Sequence, residues 1–202
     1  MNKMNTPNKL TILRMVMIPF FVVSFFLEFM NPWNRIIATA IFIIAALTDV
    51  LDGYLARKNG QVTDFGKFMD PLADKLLVFS ALVSILVMVT SKNDGSQAHK
   101  IFYILIFVAT MVVIAREFLV TSLRLICASS ENKVVIAADR LGKTKTGLQD
   151  LFIIFALIGN VFVPDKAYMI VCYCLMIPMI ILTIWSGINY LVKYKDYIST
   201  NK

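Results

Sequence analysis

Charged side chains are scarce in this 202-residue chain, making up 16% of it against 58% hydrophobic residues, where a soluble domain carries about 25% charged residues. With a mean hydropathy of +0.74, that deficit excludes a soluble enzyme. Histidine is reduced to His99 and cysteine to Cys127, Cys172 and Cys174, so the clustered His and Cys ligands of a structural zinc are lacking. The cysteine count is odd, all three lie in apolar stretches, and Cys172 and Cys174 point to different sides of a helix. They read as packing thiols rather than a disulfide framework. His99 falls in an outer loop and reads as a solvated surface residue. No internal repeat, low-complexity tract or linker divides the chain, so residues 1–202 read as a single membrane domain.

What fills the chain instead is a series of uncharged runs: Met15–Leu27, Ile36–Thr48, Leu76–Ser91, Ile101–Ala115, Leu151–Pro164 and Ala167–Val192. A bilayer core of ~30 Å needs about 20 helical residues per crossing, so the shorter runs must extend into flanking charged segments such as Asp49–Arg57 and Lys67–Lys75. The fold expected is an all-α polytopic membrane protein with six transmembrane helices. Thr6-Pro7 reads as a cap with proline at the first helical position, opening a short N-terminal interfacial helix, and Pro19 would kink the span beyond it. Met30-Asn31-Pro32-Trp33 makes a poor cleavage site, so the first span is read as retained. The net charge is +7, and sorting Lys and Arg by alternate loops puts 16 on one side and 4 on the other (Arg35, Lys92, Lys100, Lys166). By the positive-inside rule both termini and the basic segments face the cytoplasm. Such basicity fits anionic lipid or anionic substrates rather than nucleic acid. Asn31-Pro32, Asn93-Asp94-Gly95-Ser96 and Val163-Pro164-Asp165 punctuate the outer side, and Asn59-Gly60 and Asn132 the inner side.

The chemistry concentrates where the second span ends and the third begins. Asp49 and Asp52 are three residues apart and Asp70 and Asp74 four apart, so each pair shares a helical face, and the short connection through Gly60 makes the two helices antiparallel neighbours. Four carboxylates converging there would raise one another's pKa values unless cations intervene. Oxygen-only ligands favour Mg²⁺, Mn²⁺ or Ca²⁺. Gly53, Ala56 and Gly66 strip side-chain bulk from the same region and leave a cleft in which a metal-bound pyrophosphate with its nucleoside fits, and Arg57 and Lys67 can bind phosphate oxygens. Intramembrane acids also serve transporters. A transporter, however, places them near the midplane between repeated halves, whereas these lie at the ends of spans in a chain without a repeat.

Taken together, Asp49-x2-Asp52-Gly53-x2-Ala56-Arg57-x8-Gly66-x3-Asp70-x3-Asp74 resembles the complete signature of the CDP-alcohol phosphatidyltransferases, at every spacing. The resemblance implies two divalent metal ions, Mg²⁺ or alternatively Mn²⁺, held by Asp49, Asp52, Asp70 and Asp74. It implies Asp74 as general base and CMP as leaving group, with Asp52 also in the nucleotide site. Pro7-Asn8-Lys9-Leu10-Thr11-x2-Arg14, Arg116-Glu117-Phe-Leu-Val-Thr-Ser-Leu-Arg124 and Leu141-Gly142-Lys143-Thr144-Lys145-Thr146 look like the bacterial branch of that family that takes glycerol 3-phosphate as acceptor. This adds Asn8 and Thr11 to the donor site. Independently, Arg116, Arg124, Arg140, Lys143 and Lys145 concentrate positive charge where an anionic acceptor could be gripped.

The expected activity is transfer of the phosphatidyl group from CDP-diacylglycerol to sn-glycerol 3-phosphate, in the cytoplasmic membrane, by a homodimer in contact with membrane lipid. The alternatives are the same chemistry on inositol phosphate, phosphatidylglycerol or serine, and a divalent-cation transporter.

Overall fold

All regular structure among the described residues is helical. A computed structural model describes residues 6–59, 64–92, 95–129 and 140–194, with side chains at 8–49, 51, 66, 69–92, 95–124 and 142–194. The order is α1 (Thr6–Phe26), a single 3₁₀ turn at Glu28–Met30, α2 (Trp33–Asn59), α3 (Asp64–Ser91), α4 (Gln97–Ser129), α5 (Arg140–Phe162) and α6 (Asp165–Lys193). Helices of 21 to 33 residues are about 32 to 50 Å long at 1.5 Å per residue, enough to cross a hydrocarbon core. Among the described residues, five segments are apolar and long enough to do so: Asn8–Phe26, Met69–Ser91, Gln97–Arg124, Gly142–Phe162 and Asp165–Lys193. The uncharged stretch of α2 is framed by Arg35 and Asp49. The protein is an all-α polytopic membrane protein.

The helices extend past their apolar runs as expected, α2 continuing beyond Asp49 to Asn59 and α3 beginning at Asp64, ahead of Asp70. The N-terminus differs from expectation. The segment from Thr6 and the first span form one helix, with Pro19 inside it, and no separate interfacial helix precedes it among the described residues. A proline costs a membrane helix little where neighbouring groups and local adjustment satisfy the carbonyl it leaves unpaired. Of the sequence breakers, Asn31-Pro32 forms the turn into α2, Gly95 takes a left-handed φ of 74°, and Val163-Pro164 separates α5 from α6. Asn93-Asp94, Gly60 and Asn132 lie outside the described residues. His99, expected in a solvated loop, instead sits half-buried in the first turn of α4, where its backbone N–H donates to Ser96 Oγ at 3.2 Å. Ser96 thus caps the helix. Cys172 is buried and Cys174 exposed, on different sides of α6 as their spacing requires; the Cys127 side chain lies outside the described residues.

The chain forms two compact units: α1 to α3 with the second half of α5, and α4 with α6 and the first half of α5. In the first unit α1 packs on both α2 and α3. Phe21 and Phe42 meet with ring centroids 6.2 Å apart, and the fully buried Ala38 and Ala45 of α2 and Ala73 and Ala81 of α3 leave room for close backbone approach, the usual basis of helix association in lipid. Asn34 Nδ2 donates to the Phe25 carbonyl at 2.9 Å, tying α2 to the end of α1. In the second unit α4 lies against α6. Phe102 sets its edge against Tyr168 and Tyr173 near one end, while Val120, Leu123, Tyr190 and Tyr194 pack together toward the other. Large apolar side chains such as Phe20, Val83, Phe107, Ile181 and Trp185 remain exposed, as lipid-facing positions do.

Candidate active site

The first unit gathers the signature around α1. Thr11 and Arg14 lie three residues apart and so share one face of that helix. Arg14 is completely buried, and its Nη1 stands 2.6 Å from Oδ1 of Asp49, whose side chain keeps 40% of its surface exposed. One turn earlier the buried Thr11 hydroxyl donates to Oδ1 of Asp70. A single helix face therefore holds Asp49 of α2 and Asp70 of α3. Asp70 is within electrostatic reach of Asp49, so these two acids are neighbours beside α1. A buried guanidinium in an apolar helix needs such a partner, because an uncompensated charge there costs several kcal/mol.

Gly66 is buried and Asp74 half-buried, the latter on α3 four residues beyond Asp70 and so on the same face; Asn8 and Asp74 both take part in further contacts. The side chains of Asp52, Gly53, Ala56, Arg57 and Lys67 lie outside the described residues. Among the described residues no three His, Cys, Asp or Glu side chains form a group able to hold a metal, so Asp49, Asp70 and Asp74 do not by themselves complete a ligand set. The donors they offer are nonetheless the hard carboxylate oxygens that a divalent cation such as Mg²⁺ takes, and Asp49 and Asp70 each engage α1 through one oxygen.

The basic cluster is divided by the second unit. Lys145 is 1% exposed and donates to Glu117 Oε1 at 2.6 Å, and Arg116 Nη1 donates to the same oxygen at 2.8 Å. Arg116 also donates through Nε to Ser186 Oγ at 3.1 Å and lies over the Tyr190 ring, 5.8 Å from its centroid. Arg124 is exposed and flanks Tyr190, 5.9 Å from the centroid. Lys143 is exposed, and the side chain of Arg140 lies outside the described residues. Two of the five cations are thus engaged with a carboxylate, while Arg124 and Lys143 face outward. The sequence assigns no role to Glu117, Tyr190 or Arg14, although Arg14 and Glu117 stand within its motifs. A lone acid or base in an apolar helix is the signal it carries, and the partner is not.

Comparison with known proteins adds a family to this geometry. A model of the CDP-alcohol phosphatidyltransferase family matches residues 4–185. A protein of Haemophilus influenzae named CDP-diacylglycerol–glycerol-3-phosphate 3-phosphatidyltransferase is 39% identical over 199 residues, 98% of each chain. Proteins of the same name from Yersinia enterocolitica, 36% identical over 97% of this chain and 98% of that one, and from Sodalis glossinidius, 36% identical over 94% of each, are similar throughout. A match that begins at Met4, takes in both acidic helix ends and reaches into α6 places this chain in the CDP-alcohol phosphatidyltransferase family.

Proposed function

We propose that the protein transfers the phosphatidyl group of CDP-diacylglycerol to sn-glycerol 3-phosphate, releasing CMP and forming phosphatidylglycerol phosphate. The observation that carries this reading is the convergence of Asp49 and Asp70 on one face of α1, in a chain similar along its whole length to relatives named for that reaction. In this reading Asp49, Asp52, Asp70 and Asp74 would hold divalent metal, two Mg²⁺ or Mn²⁺ ions. When bound, the metal supplies charge neutralisation at the pyrophosphate and at departing CMP.

The chain's own residues do the rest. Asn8 and Thr11 border the donor site on α1, Gly53, Ala56 and Gly66 keep space for the nucleoside, and Arg57 and Lys67 bind phosphate oxygens. Asp74 takes the proton from the primary hydroxyl of the acceptor. The oxygen so released attacks the phosphorus nearest diacylglycerol, and the bond to CMP breaks. Arg124 and Lys143, the exposed members of the basic cluster, meet the acceptor phosphate, while Arg116 and Lys145 hold Glu117; Arg140 belongs to the same charged segment. The whole chain, 1–202, works as one catalytic domain, paired with a second copy, with its site at the cytoplasmic face where acyl chains stay in lipid and the acceptor arrives from water.

The test is CMP release by purified protein in vesicles containing CDP-diacylglycerol and Mg²⁺, each candidate alcohol being supplied alone. Release with glycerol 3-phosphate only is expected. Release with inositol phosphate, phosphatidylglycerol or serine instead would overturn the acceptor, and metal uptake without any CMP would make the protein a transporter.

A further inference from the structure

We infer that Arg14 is a built-in counter-charge for the metal site, acting through Asp49 to keep the acidic ends of α2 and α3 together before metal arrives. The inference rests on the metal-dependent reading above. Its basis is an asymmetry of burial: the Arg14 side chain is 0% exposed and the Asp49 side chain 40%. The guanidinium is enclosed and cannot find water as a substitute partner, whereas the carboxylate keeps an open side from which a second cation can approach. Asp49 also feels the negative charge of Asp70, which α1 holds one turn away through Thr11. Without metal, Arg14 is a positive charge that offsets this repulsion. With metal, two cations share Asp49, so Arg14 tempers the metal's grip as well as preparing its site.

The two halves of the pair respond in opposite ways. Asp49→Asn takes a counter-charge from an enclosed cation, a defect that added metal cannot repair. Arg14→Gln strands a half-exposed anion beside another anion, a defect that metal repairs directly. Wild type, R14Q, D49N and the double variant R14Q/D49N are compared in detergent by thermal unfolding in EDTA and in saturating Mg²⁺, and by Mn²⁺ titration monitored by electron paramagnetic resonance without nucleotide.

R14Q is expected to melt below wild type in EDTA, to recover most of the difference in Mg²⁺, and to bind Mn²⁺ about tenfold more tightly, the lower end of what a neighbouring charge does to a carboxylate. D49N should melt low in both conditions and the double variant should melt above D49N. Equal losses for R14Q in EDTA and Mg²⁺, weaker Mn²⁺ binding, or a double variant no more stable than D49N would each overturn the inference. Should R14Q fail to fold even in Mg²⁺, that failure overturns it too, and R14K, which keeps the charge, must still show the small wild-type response to Mg²⁺. CMP release by wild type in the same preparation separates this outcome from failure of the transferase reading, since loss of both turnover and Mn²⁺ binding in wild type would defeat that reading instead.

Discussion

Replacing Glu117 by Gln removes the one negative charge that Lys145 and Arg116 share, at 2.6 and 2.8 Å. Breaking a buried ion pair by removing one partner costs about 3–5 kcal/mol. The lower end applies here, because the Glu117 and Arg116 side chains retain 17% and 12% exposure and Arg116 keeps its contacts with Ser186 and Tyr190. Lys145, at 1% exposed, bears most of the loss. At about 2–4 °C per kcal/mol for a chain of this size, ~3 kcal/mol lowers the melting temperature by about 6–12 °C. The assay is thermal unfolding of E117Q, K145M and E117Q/K145M purified in one detergent. Removing both charges replaces a costly pair by neutral groups, so the double variant should melt above E117Q. An E117Q protein that melts with wild type, or a double variant whose loss equals the sum of the singles, would refute the claim that Glu117 is held in the second unit as the counter-ion of Lys145.

The outward-facing cations should read acceptor charge: Arg124→Ala or Lys143→Ala raises the Michaelis constant for glycerol 3-phosphate by roughly ten- to a hundredfold, the effect of ~1.5–3 kcal/mol in a charge-assisted hydrogen bond, and leaves that for CDP-diacylglycerol little changed. Equal effects on both substrates in steady-state kinetics would remove them from the acceptor site. Asp74→Asn should abolish CMP release while the protein still binds CDP-diacylglycerol, and turnover within a few-fold of wild type would exclude Asp74 as the base. Gly53→Leu should weaken CDP-diacylglycerol binding in a protein that still folds, and an unchanged dissociation constant would return Gly53 to helix packing.

Membrane residence, the long apolar helices and the position of the acids were legible in the chain because each is a property of a single helix. Uncharged runs specify where a helix tolerates lipid, and intervals of three and four residues specify which side chains share its surface, so the grouping of Asp70 with Asp74 and the opposite outlooks of Cys172 and Cys174 needed no tertiary information. The four acids were legible as a candidate site for the same reason, together with the small residues spaced among them. Thr6-Pro7 misled, because the helix it opens runs on through Pro19 into the first span instead of stopping at the interface.

Which helix face meets which neighbour is not a property of any single helix, and the tertiary structure alone decided it. Arg14 and Asp49, Thr11 and Asp70, and Glu117 and Lys145 come from different helices. A count of basic residues treated Arg14 and Lys145 alike with Arg124 and Lys143, as charges on one side of a membrane. Packing buried the first two against carboxylates and left the others outside. The physical reason is the cost of an unpaired charge in a low-dielectric interior. That cost dictates from sequence that a partner must exist, and leaves its identity to the packing of α1 on α2 and α3 and to the approach of α5 to α4 at Lys145 and Glu117.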